Sequence, residues 1–157
     1  EWLSSFLGAN CRLVRMADEH VRRVDQRYAM RSSDQVNFAD GYPLLIISEG
    51  SLADLNSRLP EPVPMNRFRP NIVVSGCAPY AEDGWRRLRV GDVIFDVVKP
   101  CARCVLITVN QATGRAGKEP LATLATYRTL NSKVMFGQNL VHATPGRIHV
   151  GDAVGEL

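Results

Sequence analysis

The sequence predicts an α+β fold that is mainly β, built as a curved sheet or small barrel with a few peripheral helices. Short runs that are rich in β-branched residues and bounded by turn formers are typical of strands, and this chain has several of them. Helical spacing of apolar residues is limited to two or three segments. The dipeptide Gly-Asp lies between apolar residues at 91–92 and again at 151–152, which predicts two turns that each feed a strand.

Residues 1–35 are predicted to form an N-terminal region of one helix, one strand and a long connection. Residues 2–7 have the pattern of a short amphipathic helix, and the alternation of residues 11–16 predicts a strand. Residues 17–35 are dense in charged and polar side chains, which favours an irregular loop.

Residues 36–157 contain the clearest elements. Ser51 is predicted to cap a helix because Asp54 follows three residues later, and Pro60 helps to stop this helix. The other predicted elements are strands at residues 44–47, 72–75, 93–98 and 105–109 and a helix that opens at Glu119 and Pro120.

The composition suits one globular domain. The chain has 157 residues, of which 45% are hydrophobic and 22% are charged, a balance that buries a sizeable core and argues against disorder. The net charge of +3 is too small to indicate a nucleic-acid partner, and it is compatible with an anionic small-molecule ligand.

The sequence gives no signal for a membrane or for secretion. No apolar run has the length of a membrane span, so no membrane partner is expected. The start of the chain lacks a charged segment followed by an apolar one, and the cysteines have no evident pairing, which favours a reducing cytoplasm. Because the chain begins at Glu1 without an initiator methionine, we expect it to be part of a longer protein.

The segment Pro-Cys-Ala-Arg-Cys at 100–104 is the strongest chemical signal in the chain. It lies between two predicted strands, so Cys101 and Cys104 are expected on a tight connection beside Arg103 and Lys99. Nearby positive charge favours the thiolate, which is the form that attacks electrophiles and binds metals. The segment therefore indicates sulfur chemistry, ligation of a soft metal, or both.

Other interpretations of the two thiols stay open. A zinc site needs four ligands, but Cys11 and Cys77 have no C-x-x-C partner and the histidines lack the spacing of a zinc-binding pair. A thioredoxin-like dithiol would open a helix, whereas a strand is predicted after Cys104. The two thiols could also form a disulfide or be inert core cysteines.

The cysteine segment is one of several motifs that occur in order along the chain. The others are Phe-Ala-Asp-Gly-Tyr-Pro at 38–43, Asn-Arg-Phe-Arg-Pro-Asn-Ile-Val-Val-Ser-Gly at 66–76, Ala-Glu-Asp-Gly-Trp at 81–85 and Phe-Gly-Gln-Asn at 136–139. Together they resemble the MOSC domain, the C-terminal domain type of molybdenum cofactor sulfurases. The resemblance covers residues 36–157 and is strongest to the mitochondrial amidoxime-reducing component and YcbX-type proteins. It implies a single MOSC domain over residues 1–157, with a β-barrel-like core.

The resemblance also implies a site for molybdenum held by molybdopterin. Cys104 matches the family cysteine whose sulfur ligates molybdenum, so it is expected to be the metal ligand and the catalytic residue. Cys101 matches a family position as well, but it is not expected to be a ligand. The residues that match cofactor-binding positions are Asp40, Gly41, Tyr42, Arg69, Asn71, Ala102, Arg103 and Asn139. Ala102 stands where relatives often have serine, so one hydrogen bond from a side chain is lost there.

Two functional classes follow from the resemblance. In the first, the chain is a domain of a molybdenum-dependent oxidoreductase that reduces N-hydroxylated compounds and needs an external electron donor, a ferredoxin- or flavin-type reductase. In the second, it is a sulfur-carrier or cofactor-delivery module in which Cys101 or Cys104 bears a persulfide received from a cysteine desulfurase. Pyridoxal phosphate then belongs to that separate desulfurase domain or partner. A module that only stores or presents the cofactor is a third alternative.

Overall fold

One seven-stranded sheet, curved into a nearly closed barrel shape, organises the computed structural model, which describes residues 1–157. The strands are β1 (Leu44–Ser48), β2 (Ile72–Val74), β3 (Arg87–Val90), β4 (Val93–Arg103), β5 (Thr129–Leu130), β6 (Lys133–His142) and β7 (Val154–Glu156). The helices are α1 (Trp2–Leu7), α2 (Glu49–Ser57) and α3 (Leu121–Ala125), with 3-10 helices at Met65–Arg67, Ala81–Asp83 and Val105–Thr108. The prediction of a mainly β fold with a few peripheral helices is confirmed.

The strands are joined in the order β2-β1-β6-β4-β3-β7, and β5 pairs with β6 outside this path. All pairings are antiparallel except that between β1 and β2, which is parallel. Parallel neighbours need a crossover connection, and here the connection contains α2. The two long strands β4 and β6 lie side by side at the centre of the sheet and carry most of the motifs in the second half of the chain.

The sheet is covered on both faces. Successive residues of a strand point to opposite faces, and Ile46 of β1 packs in one buried cluster while Ile47 packs in another. The first cluster includes Leu88, Phe95 and Leu140 from the strands. The second cluster joins the sheet to α2, α3 and the connecting segments through residues Ile47, Leu55, Leu59, Val63, Phe68, Ile107, Leu124 and Phe136.

The N-terminal region agrees with the sequence prediction in two of its three parts. A helix forms at Trp2–Leu7, and the connection at 17–35 is irregular apart from a single bridge between Arg23 and Gln35. The strand predicted at residues 11–16 is wrong. Its alternating side chains are mostly exposed and the segment has no strand partner, so nothing stabilises an extended pairing there.

After residue 43 the strands predicted at 44–47, 72–75 and 93–98 are confirmed, whereas the cap of α2 and the strand predicted at 105–109 are not. Helix α2 is capped by Ser48, whose hydroxyl accepts a hydrogen bond from the Ser51 N–H at 3.0 Å, so the predicted cap at Ser51 is wrong. Ser51 is buried instead, and its hydroxyl donates to the Glu82 carboxylate at 2.7 Å. Both Gly-Asp turns are confirmed, because 91–92 joins β3 to β4 and 151–152 precedes β7.

Candidate functional site

The cysteine segment lies at the end of β4 rather than on a connection between two strands. Residues 100–103 belong to β4 and pair with β6, with register shifts between Val97 and Lys99 and between Pro100 and Ala102. Proline is tolerated in a sheet where such a bulge interrupts the ladder. The strand predicted at 105–109 is wrong, because Val105–Thr108 form a 3-10 helix.

The two cysteines of the segment have different environments. Cys104 follows the strand, caps the 3-10 helix and is exposed, whereas Cys101 is partly buried. Burial raises the pKa of the Cys101 thiol, and the Asp40 carboxylate adds to this shift, while Arg103 and a hydrogen bond with Asn139 oppose it. All four cysteines of the chain are free thiols, so the Cys101–Cys104 disulfide is not formed. Cys104 is the thiol that a group from solvent reaches first.

Arg103 is held between the second apolar cluster and the cysteine segment. Its Nε donates to the Phe136 carbonyl at 2.8 Å, its Nη1 donates to the Phe68 carbonyl at 3.1 Å, and its guanidinium lies over the Phe68 ring. Its Nη2 is buried and has no hydrogen-bond partner. Burial lowers the pKa of Arg103, and the nearby Cys101 and Cys104 oppose that shift.

Arg69 and Asn71 lie on the chain that leads into β2. Arg69 is exposed and has a φ of 53°, a left-handed conformation that is uncommon for a residue with a side chain and is found at functional sites. The side-chain oxygen of Asn71 accepts a hydrogen bond from the Leu45 N–H at 2.9 Å. That oxygen therefore holds the sheet, and the side-chain NH₂ of Asn71 donates to no acceptor in the chain.

A row of residues across the sheet brings Asn71 and Asn139 toward the cysteine segment. The Asn71 N–H donates to the Leu45 carbonyl, Leu45 pairs with Asn139, and Asn139 pairs with Lys99. The side-chain amide of Asn139 donates to the Lys99 carbonyl at 3.2 Å, which places it at the bulge just before Cys101. Asn139 thus connects β6 to the irregular end of β4.

The three predicted site residues at 40–42 lie in different surroundings, some near the cysteine segment and some in the core. Asp40 is exposed and close enough to Cys101 for its charge to act on that thiol. The Tyr42 side chain packs against the third apolar cluster of Val24, Val36 and Val141. Its hydroxyl is buried without a partner, and burial raises its pKa. Gly41 is half-buried between them, and Ala102 is exposed on β4.

Sequence reasoning missed one arginine that contacts this stretch. Arg22 was predicted only as part of a charged loop, yet its guanidinium donates to the carbonyls of Asn37, Ala39 and Asp40. No local pattern identifies such a contact, because it joins residues 15 to 18 positions apart in an irregular region.

Cys104 is exposed at the surface of the protein. Two polar clefts of about 470 and 690 Å³ are lined by other residues, and neither includes Cys101 or Cys104. No three His, Cys, Asp or Glu side chains are grouped in a way that could hold a metal ion. A metal bound at Cys104 would therefore take most of its ligands from outside the chain.

No helix combines the length and apolar character that crossing a membrane requires.

The barrel-like sheet and the cysteine at the end of its long central strand define a class of domain. Residues 33–155 match the family model of the MOSC domain, and the chain belongs to the MOSC domain family. The chain is 46% identical to mouse "mitochondrial amidoxime-reducing component 1" over 98% of this chain and 49% of that protein. It is 40% identical to rice "molybdenum cofactor sulfurase" over 87% of this chain and 18% of that protein. The chain therefore spans about half the length of the first of these relatives.

A solved structure shows the same fold. YiiM from Geobacillus stearothermophilus matches with a TM-score of 0.54 over 74% of this chain and 54% of that chain, at 15% sequence identity. The expected cytoplasmic location stays a prediction, and the mouse relative is named as mitochondrial.

Proposed function

We propose that this chain is the molybdenum-cofactor-binding domain of an oxidoreductase that reduces N-hydroxylated compounds, with Cys104 as the molybdenum ligand. The observation that carries the proposal is the pairing of an exposed Cys104 with an adjacent arginine whose Nη2 is buried and unpartnered. A buried donor without an acceptor costs about 1–3 kcal/mol, and an anionic group bound beside Cys104 would remove that cost.

The donors of the chain suit molybdenum carried by a pterin dithiolene. Cys104 offers one soft sulfur ligand on an open face, and the two dithiolene sulfurs would complete the sulfur ligands. Arg103 has no carboxylate partner, so its charge is available for the anionic parts of the cofactor, including a phosphate. Cys101 is shielded, and its raised pKa disfavours the thiolate, so it is not proposed as a ligand.

The other proposed contacts surround the cysteine segment. Arg69 would supply a second positive charge, and the Asn71 amide would donate to the pterin edge. Asp40 would accept from pterin N–H groups, and Gly41 and Tyr42 would contribute backbone groups. Asn139 holds the bulge before Cys101, and Ala102 leaves open space on β4.

The bound cofactor would supply the redox chemistry, and the chain would hold and orient it. Reduction of an N-hydroxyl group to an amine consumes two electrons and two protons and releases one water. No side chain of the site supplies those electrons repeatedly, so we propose an external donor, a ferredoxin- or flavin-type reductase. The role of Arg103 is to keep a fixed positive charge next to Cys104 while the charge of the site changes.

Metal and pterin content tests the proposal. The chain and its Cys104→Ser variant are expressed in a host that makes the cofactor, and molybdenum and pterin are measured per protein. We expect near-stoichiometric molybdenum in the unchanged chain and its loss in Cys104→Ser. Cys77→Ser is the matched control, because Cys77 packs beside the first apolar cluster, and it should keep the metal. Equal molybdenum in all three proteins would contradict the assignment of Cys104.

A sulfur-carrier module is the second candidate, and the rice relative named molybdenum cofactor sulfurase supports it. The exposed thiol of Cys104 could accept the sulfane sulfur of a desulfurase persulfide, and the desulfurase thiolate would leave. Any pyridoxal phosphate would then be on a separate desulfurase domain or partner. Incubation with a cysteine desulfurase and cysteine, followed by persulfide trapping and mass spectrometry, distinguishes this candidate. A persulfide on Cys104 in a protein that binds no molybdenum would favour it.

A further inference from the structure

The Arg22 side chain hydrogen-bonds to the loop at residues 37–41, which leads into the proposed cofactor site. Its Nη1 donates to the carbonyls of Asn37 at 2.7 Å and Ala39 at 2.6 Å, and its Nη2 donates to the carbonyl of Asp40 at 2.6 Å. Charged donors make stronger hydrogen bonds than neutral ones. The Arg22 guanidinium forms no ion pair with a carboxylate. These three carbonyls are therefore the only hydrogen-bond partners of its side chain.

The backbone of Arg22 is itself fixed. The Val36 N–H donates to the Arg22 carbonyl at 2.9 Å, and the Val24 N–H donates to the Asp34 carbonyl at 3.1 Å. These bonds pair the two segments antiparallel. Val24 and Val36 are each 2% exposed and pack against Val141 of β6. The guanidinium is therefore attached to the sheet, whereas the loop at 37–41 has no helix or strand of its own.

The contacts of Arg22 also orient the amide groups of the loop. In a trans peptide unit the C=O and the following N–H point in opposite directions. Carbonyls 37, 39 and 40 turn toward Arg22, so the N–H groups of Phe38, Asp40 and Gly41 turn away from it. None of these three N–H groups donates to an acceptor in the chain. They are available to a ligand, and the Asp40 carboxylate is close enough to Cys101 for its charge to act on that thiol.

We infer that Arg22 is a positioning residue for cofactor binding, which holds residues 37–41 with their free N–H groups directed at the ligand. The inference rests on the proposed function, because the ligand is taken to be the molybdenum cofactor. Arg22 does not touch the cofactor. It lowers the entropy that the loop loses on binding, since the loop is already ordered in the unbound protein.

The rate of pterin release from the loaded protein tests the inference. Arg22→Ala should release pterin about tenfold faster than the unchanged chain, because several charge-assisted hydrogen bonds to the loop are lost. Arg22→Lys keeps the charge without the fork of donors, and it should partly restore retention. Arg23→Ala is the matched control, because Arg23 donates to the Ser32 carbonyl instead, and it should release pterin at the unchanged rate. Unchanged release from Arg22→Ala would overturn the inference.

A second measurement on cofactor-free protein separates this inference from the proposed function. Backbone ¹⁵N relaxation should show the amides of Phe38, Asp40 and Gly41 ordered in the unchanged chain and mobile in Arg22→Ala. If these amides stay ordered in Arg22→Ala, the inference fails even if molybdenum binds at Cys104. If the loop loosens as expected while Cys104→Ser keeps its molybdenum, the metal assignment fails and the positioning by Arg22 stands.

Discussion

Two regions that both pack against Phe136 of β6 differ in what their arginine side chains pair with. In the first, Arg128 pairs with Asp83 at 2.7 Å and Arg58 pairs with Asp54 at 2.9 Å. In the second, Arg103 hydrogen-bonds only to backbone carbonyls, has no carboxylate partner and keeps one buried nitrogen without a partner. The arginines of the first region, the Arg58/Arg128 cluster, are neutralised inside the chain. The charge of Arg103 is not neutralised by a carboxylate of the chain.

The two regions are joined through neighbouring residues of one strand. The Phe136 carbonyl accepts from Arg103, and the Gln138 side-chain amide donates to Asp83 at 2.7 Å. Both regions share the apolar support of Phe136, whose ring meets Phe68 at a tilt and Tyr80 edge to face. Each of the three guanidinium groups lies over an aromatic ring, that of Tyr127, Tyr80 or Phe68, so aromatic contact is common to the two regions. The presence or absence of a carboxylate distinguishes the structural arginines from the ligand-binding candidate.

Gly137→Ala should have the largest effect, because it disturbs both regions at once. Gly137 has a φ of +78°, and an added Cβ would lie 2.6 Å from Ile47 Cγ1 and 2.8 Å from the Ile46 carbonyl oxygen. We expect a loss of about 3 kcal/mol or more in the free energy of unfolding. Urea unfolding measures this loss. Gly114→Ala is the control, since it has a φ of +70° but nothing within 4 Å, and it should lose only about 1 kcal/mol.

Exchanging the two kinds of arginine for methionine should separate stability from cofactor binding. Arg128→Met removes the ion pair of Asp83, which keeps only the Gln138 amide, and should lower the free energy of unfolding by about 2 kcal/mol, with little change in metal retention. Arg103→Met removes two hydrogen bonds to backbone carbonyls and should lower the free energy of unfolding by about 1–2 kcal/mol, and it alone should weaken cofactor binding about tenfold or more. Unfolding curves and pterin titrations report the two properties separately. Identical profiles for the two variants would remove the distinction between the regions.

Tyr80→Phe should have the smallest effect. The Tyr80 hydroxyl donates to Asp54 at 2.7 Å and lies 2.8 Å from the Tyr127 hydroxyl, so its removal should lower the free energy of unfolding by about 1 kcal/mol at neutral pH. Burial and these hydrogen bonds raise the pKa of Tyr80 above its ordinary value near 10. Above the ordinary pKa of about 10, the unfolded chain loses the tyrosine proton while the folded protein keeps it. The free energy of unfolding therefore falls as the pH rises.

Unfolding measured at pH 9 and at pH 10.5 checks the sign. The unchanged chain should lose more stability between the two values than Tyr80→Phe does. An equal loss in both proteins would mean that Tyr80 is not protected in the fold.

Local patterns predicted the elements whose stabilisation is local or whose faces are buried. The buried strands at β1 and β2 and the turn at 91–92 follow from apolar runs and turn chemistry. The segment 105–109 shows the limit of such patterns. Its β-branched residues predict a strand, but the pairing of β4 with β6 ends at Arg103 and Val134. With no partner strand beyond that pair, the chain turns, and the Thr108 hydroxyl donates to the Val105 carbonyl at 2.8 Å.

The candidate site was predictable where it depended on motifs and not where it depended on contacts distant in sequence. The motifs predict roles for Cys104, Arg103 and Asn139, and the structure bonds the Asn139 amide to the Lys99 carbonyl, two residues before Cys101. Two contacts depend instead on packing between segments. The Leu45 N–H donates to the Asn71 side-chain oxygen, and the Arg22 guanidinium donates to carbonyls in residues 37–40. No pattern within either segment contains that information.

The exposure of Cys104 has a consequence for handling the protein. An exposed thiol is accessible to oxygen, peroxide and a second protein thiol. Arg103, which lies next to Cys104 in the chain, adds positive charge beside that sulfur and none of the shielding that Cys101 receives. Purification in air should therefore convert Cys104 first, to sulfenic acid or to a disulfide-linked pair of chains, and reductant should be present from lysis onward.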